Sequence, residues 1–223
     1  MRIQWFGQSA FQFTGDGRRV VVDPFVPSGA RGSWHFDYPA MNGTEADVLL
    51  VTHEHFDHNG VQAVTGTPQT IRSSAGTFES PVGTIVGVAS EHDPVAGTQR
   101  GANVIFVFTL EGMRICHLGD FGQAGMRPEQ AAAIGRVDML LVPVGGGPTI
   151  GADGAQALVD RLQPRWAIPM HYRTVHLNFL ETADAFLERC RDVRRLPAAT
   201  FGTADLAPGS GPVVLVPAVP GMI

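Results

Sequence analysis

A chain of 223 residues with 44% apolar side chains is long enough to bury one substantial core, and no repeat, linker or low-complexity tract divides it, so a single domain over 1–223 is expected. A formal net charge of −5 and the lack of any Lys/Arg-rich run exclude an electrostatic case for nucleic acid as a partner. Two cysteines far apart exclude a disulfide framework and a cysteine-ligated zinc site, and the lack of a signal-like start or a membrane-length apolar stretch leaves a cytoplasmic chain with no membrane contact as the expectation.

Apolar runs between Gly-rich turns predict strands at Ile3–Phe6, Phe11–Thr14 and Arg19–Val22, with Gly15-Asp16-Gly17 as a hairpin turn. An irregular aromatic segment follows from Phe25 to Ala46, and long ordered loops are often functional. It carries His35 among Trp34, Phe36 and Tyr38, which makes His35 a candidate pocket residue. Further strands are expected at Val48–Val51, Thr84–Ala89, Val104–Leu110, Met113–His117, Met139–Val142 and Trp166–Ile168, and helices at Pro128–Ile134, Ala152–Leu162 and Leu180–Arg191. Early strands followed by alternating strands and helices imply mixed sheets covered by helices. The apolar runs "FQFT" and "VVLVPAVPGMI" read as sheet edges that a second copy would cover, so a homo-oligomer is expected.

Directly after the strand Val48–Val51 the chain reads "THEHFDHNG". His53 and His55 are two apart on an extended backbone and share one side, while Asp57 and His58 follow as the chain turns. Imidazole nitrogens and carboxylate oxygens are the donors that borderline divalent metals prefer. The helical pattern H-E-x-x-H is absent, so the pair does not sit on one helix face. Three more strands end on a candidate ligand: "TIVGVASEHD" on His92, "MRICHLGD" on His117 and then Asp120, and "RWAIPMHY" on His171. Separate segments meeting at strand ends could supply two metals. Cys116 is expected on the opposite face of its strand from His117, as a small core residue.

The ordered set "THEHFDH", a Gly-Asp pair after a strand and a late "MH" resembles the metallo-β-lactamase superfamily, and "VVDP" with Asp23 fits its first motif. "ICHLGDFG", "VDMLLVPVGGGPTI" and "PRWAIPMHY" are similar to one branch, the bacterial metal-dependent hydrolases related to L-ascorbate-6-phosphate lactonase. The resemblance spans about Ile3 to Tyr172. It implies an α/β (α+β) fold, a four-layer αββα sandwich with a dinuclear site at one edge of the sheets. By the same resemblance His53, His55 and His92 would bind the first ion, Asp57, His58 and His171 the second, and Asp120 both, with a hydroxide between the ions. Asp57 and Asp120 would then be the catalytic carboxylates, Asp57 orienting that hydroxide. Asp23 would support a ligand histidine or hold a loop. His117, three residues before Asp120, is the alternative to His92 or else a buried neighbour of the site. Gln123 and Gly151 depart from the family pattern, standing where a histidine and an acid are expected.

The implied reaction is hydrolysis of a small-molecule ester, lactone or phosphoester, with a lactone-like substrate favoured. A phosphodiesterase or nuclease, a catalytically silent metal-binding sensor or scaffold, and an iron oxidoreductase of the same fold are the alternatives. With no cysteine among the donors, zinc is expected first and manganese second.

Overall fold

A computed structural model describes residues 1–31 and 34–222. In chain order its strands are β1 (Arg2–Gly7), β2 (Ala10–Gly15), β3 (Arg18–Val22), β4 (Gly29–Arg31), β5 (Trp34–Phe36), β6 (Thr44–Glu45), β7 (Val48–Val51), β8 (Val64–Thr65) and β9 (Gln69–Arg72). Then come β10 (Gly76–Ser80), β11 (Gly83–Glu91), β12 (Ala102–Leu110), β13 (Met113–His117), β14 (Met139–Pro143), β15 (Trp166–Met170), β16 (Val193–Arg195), β17 (Thr200–Gly202) and β18 (Val213–Val216). The α-helices among the described residues are α1 (Pro128–Ile134), α2 (Ala152–Leu162) and α3 (Asp184–Leu187), and none of them is long and apolar enough to cross a membrane.

One sheet has the order β17-β1-β2-β3-β7-β9 and the other β10-β11-β12-β13-β14-β15-β18-β16. Alternation builds the first sheet's two faces. Ile3, Trp5, Phe11, Phe13, Val20, Val22, Val48 and Leu50 point into the core between the sheets. Phe13 meets Phe108 of the second sheet edge-on at 5.4 Å. Truncating such a buried ring to alanine costs on the order of 3–5 kcal/mol. The opposite face, with Ala10, Val21 and Leu49, is covered by Phe25, Phe36, Tyr38 and Met41 of the aromatic segment. The helices pack on the second sheet, where Ile134, Leu158, Val159 and Phe186 join the main core. The architecture is the expected layered sandwich, with the aromatic segment forming the outer layer over the first sheet.

The strand directions decide where the loops meet. β3 and β7 are parallel neighbours, as are β13, β14 and β15, and β11 shares their direction through two antiparallel pairings with β12. The loops after β3, β7, β11, β13 and β15 therefore leave the same edge of their sheets, the usual place for a site in layered α/β folds.

Two expectations need correction. The helix expected at Leu180–Arg191 is only Asp184–Leu187, because the Glu181 N–H donates to the Gly145 carbonyl and the Glu181 carbonyl accepts from the Arg173 N–H. That backbone ties two site loops together instead of continuing a helix. The runs "FQFT" and "VVLV" are β2 and β18, interior strands with paired neighbours on both sides, so neither is an apolar edge awaiting a partner. The true edges of the two main sheets, β9, β10, β16 and β17, are short and largely polar, which is why no apolar pattern announces them.

Candidate metal centre

The seven candidate ligands stand on four loops: His53 to His58 after β7, His92 after β11, Asp120 after β13 and His171 after β15. They converge into three groups whose donor atoms lie within 4.8 Å of one another: His53 with His55 and His92, His53 with His58 and Asp120, and Asp57 with His58 and His171. Asp120 is the hub. Its Oδ2 lies 3.0 Å from His92 Nε2 and 3.1 Å from His171 Nε2, and its Oδ1 lies 3.3 Å from His58 Nε2. All of these side chains are buried except His55, which faces outward beside His53 with its Nδ1 3.1 Å from His53 Nε2.

A second ring of hydrogen bonds sets which nitrogen each imidazole presents. His58 Nδ1 donates to Asp23 Oδ2 at 2.9 Å, and His92 Nδ1 donates to the Pro148 carbonyl at 3.0 Å. The Thr52 hydroxyl donates to Asp23 Oδ2 at 2.8 Å and so can accept from His53 Nδ1 at 3.1 Å. In all three histidines an outer oxygen engages Nδ1 and Nε2 faces inward, the arrangement that metal-binding histidines use. Asp23 also accepts from the Thr52 N–H at 2.7 Å, pinning the end of β3 to the end of β7. Both expected roles of Asp23, holding a ligand histidine and holding a loop, are thus combined in one carboxylate.

His117 is placed differently. Its Nε2 donates to the Ser9 carbonyl at 2.9 Å, and its Nδ1 accepts from the Gly119 N–H at 3.1 Å. With both ring nitrogens engaged it has no lone pair for an ion, and burial holds its pKa below the ordinary range. It is a buried neighbour of the site, and His92 stands at the first group. Cys116 faces away from it, fully buried, with its thiol pushed upward by burial. His35 lines an adjoining cavity together with Trp34 and Phe56. Gln123 forms a reciprocal amide pair with Gln130 that fastens the start of α1, and Gly151 caps α2; neither faces the ligands.

The electrostatics suit a cation. Burial keeps His53 and His55 neutral, their pKa values lowered further by His58 and by His92 respectively. Burial also opposes a charge on His58, but Asp120, Asp57 and Asp23 outweigh it and raise its pKa. The Asp120 carboxyl, although buried, is held well below its usual range by His171 and His58. His58 Nε2 and Asp120 Oδ1 are buried without a hydrogen-bond partner, which is costly unless something else satisfies them. Buried nitrogen and oxygen donors with their outer atoms fixed and their inner atoms unsatisfied fit a borderline divalent ion.

Close backbone approach completes the geometry. A Cβ at Gly145 would fall on the His171 carbonyl oxygen, and one at Gly122 on the His92 carbonyl. His171 itself has φ of 53°, a left-handed conformation uncommon for a histidine and often held at functional sites.

A model of the beta-lactamase superfamily domain matches residues 2–171 of the chain. This chain belongs to the metallo-β-lactamase superfamily. A UPF0173 metal-dependent hydrolase of Methanoregula boonei is 29% identical over 200 residues, covering 78% of this chain and 83% of that one. Another from Cupriavidus taiwanensis is 32% identical over 216 residues, covering 77% and 74%. A superfamily member of known structure from Thermotoga maritima superposes with a TM-score of 0.77 at 34% identity, covering 97% of this chain and 98% of that one.

Several residues that support this superfamily site carry no motif of their own. Gln8 donates to Asp57 Oδ2 at 2.8 Å, and its carbonyl accepts from the His171 N–H. Asn103 accepts from the Asp120 N–H at 3.0 Å and donates to the Leu118 carbonyl at 2.9 Å. A polar residue inside "ANVIFVFTL" and the glutamine in the β1–β2 turn are the only sequence signals for them.

Proposed function

We propose that this metal-dependent hydrolase cleaves a small-molecule ester, lactone or phosphoester, with a lactone-like electrophile favoured, at a pair of divalent ions, zinc first and manganese second. The observation that carries the reading is the buried Asp120 carboxylate, whose oxygens lie 3.0 to 3.3 Å from the Nε2 atoms of His92, His171 and His58 and which lines a cavity of about 500 Å³ together with His55, Asp57, His92 and His171. His53, His55 and His92 would hold one ion, Asp57, His58 and His171 the other, and Asp120 both. Bound ions supply Lewis acidity and make water a competent nucleophile at neutral pH. Asp57, held by Gln8, orients the attacking water and can accept its proton. Asp23 and the Pro148 carbonyl keep the Nδ1 protons of His58 and His92 away from the centre. The similarity of "ICHLGDFG" and "PRWAIPMHY" to relatives of L-ascorbate-6-phosphate lactonase supports the lactone preference, and the net charge of −5 supports a small molecule over a nucleic acid.

Elemental analysis of protein purified without added metal, with assays on lactones, p-nitrophenyl esters and bis-p-nitrophenyl phosphate, tests the reading. Two transition-metal ions per chain and lactone or ester turnover are expected. Asp120→Asn should lower the rate by about 100-fold or more, because even residues that only support a ligand typically cost 10–100-fold. Bound metal with no turnover on any substrate would favour a sensor or scaffold. Asp120→Asn retaining both ions and a near-normal rate would overturn the shared-ligand reading.

A further inference from the structure

The metal-facing cavity has two features that the hydrolytic chemistry does not require. Arg100 lines it, the sole arginine or lysine that does so among the described residues. No hydrogen bond or ion pair engages its guanidinium among the described residues, whereas Arg72, Arg127 and Arg194 pair with Glu54, Glu91 and Asp192. The same cavity has an aromatic lining: Trp34, stacked on Phe179 with ring centroids 4.8 Å apart, and Phe56, which stands between His55 and Asp57. Trp34 is 59% exposed and Phe56 54% exposed, and both continue into the adjoining cavity of about 740 Å³. Large apolar groups left open beside a reactive centre are the mark of a binding surface.

The placement of Arg100 is built. The buried Asp93 carboxylate accepts four backbone N–H groups of one loop, Val95 and Gly97 on Oδ1 at 2.9 and 2.8 Å, and Gln99 and Arg100 on Oδ2 at 2.9 and 2.7 Å. Enclosure opposes its charge, but these donors outweigh that and hold its pKa below the usual range. The His92 N–H donates to the Gly101 carbonyl and closes the loop at its base. Arg100 is therefore carried on a folded loop rooted at a candidate ligand: its backbone is fixed at the cavity, its side chain is exposed, and its guanidinium keeps all its donors for a bound anion.

We propose that the substrate carries an anionic group, carboxylate or phosphate, bound by Arg100, and an apolar arm lying against Trp34, Phe56 and Phe179. This rests on the hydrolase reading and names the substrate class of the same centre. A guanidinium takes either anion through two parallel hydrogen bonds, while the aromatic wall gains from any apolar arm.

The test is calorimetric binding to the metal-loaded protein of 4-phenylbutyrate, 3-phenylpropyl phosphate, the neutral 4-phenylbutanamide and butyrate. Arg100→Gln should weaken both aryl anions about tenfold or more and leave the amide unchanged, with Arg100→Lys recovering part of the loss. Phe179→Ala should weaken all three aryl probes alike and leave butyrate unchanged. The tighter of the two aryl anions identifies the anion class. Aryl anions that bind Arg100→Gln as tightly as wild type would place the anion on the metals and overturn the proposal, as would an amide that binds wild type as well as the acid does. Anion binding lost in Arg100→Gln, with no ester or lactone hydrolysed by wild type, would support this site while sinking the hydrolase reading.

Discussion

Asp23→Asn isolates the control of a histidine proton from everything else at the centre. The Asp23 carboxylate is fully buried and takes three hydrogen bonds: the Thr52 N–H on Oδ1, and the Thr52 hydroxyl and His58 Nδ1 on Oδ2. Asparagine preserves the shape and tolerates the left-handed φ of 47° that Asp23 adopts, so the backbone is not the variable. If its oxygen stays on the Thr52 N–H, its NH₂ faces His58 Nδ1, which must then give up its proton to Nε2. That proton would sit between His58 and Asp120, where the ion belongs, only 3.3 Å separating the two atoms. If the amide flips, its NH₂ meets the Thr52 N–H, and an unsatisfied buried donor costs roughly 1–3 kcal/mol. The first outcome should weaken the ion at the Asp57–His58–His171 group by about 10–100-fold, the usual cost of losing a partner behind a ligand histidine. Competition titration with a chelating indicator measures that affinity, and thermal unfolding of the metal-free variant measures the second outcome. An Asp23→Asn protein with wild-type affinity for both ions and wild-type unfolding temperature would refute the reasoning.

Metal uptake should release at least one proton at pH 7, because the aspartates raise the His58 pKa, and the hydrogen bond to Asp120 raises that of His92 against burial. Groups held above their ordinary pKa keep the proton in the metal-free chain and must lose it to ligate, so affinity should rise with pH; a binding enthalpy identical in buffers of different ionisation heat would count against this. His117→Ala strands the Ser9 carbonyl and the Gly119 N–H, so it should cost on the order of 1–3 kcal/mol of stability, a fall of several degrees in Tm, while bound metal stays at the wild-type count. Loss of an ion from that variant would return His117 to the ligand set. Gly145→Ala should displace His171 and weaken the second ion, whereas Gly122→Ala should displace His92 and weaken the first; metal titration of the pair that shows no difference between them would show that these close approaches do not position the ligands.

Much of the molecule is local enough to be written in the chain. β7 at Val48–Val51, α1 at Pro128–Ile134 and α2 at Ala152–Leu162 have the expected boundaries, because apolar periodicity and flanking Gly or Pro act within a few residues. The H-x-H-x-D-H cluster is likewise a local signal, dense enough to demand a joint purpose. The edge strands β9, β10, β16 and β17 were not legible, since they are polar and form only because an interior strand offers them a ladder. The choice between His92 and His117 also lay beyond the sequence. Both end apolar strands, and only the packing of β13 against the β1–β2 turn gives His117 the Ser9 carbonyl as its partner, while the loop at Pro148 turns His92 Nε2 toward Asp120. Gln8, Asn103 and Arg100 become visible only when strand ends far apart in the chain meet at one sheet edge. Residue types and short-range spacing follow from the chain's own chemistry, whereas the partner of each polar atom depends on which distant backbone the closing of two sheets brings within hydrogen-bond reach.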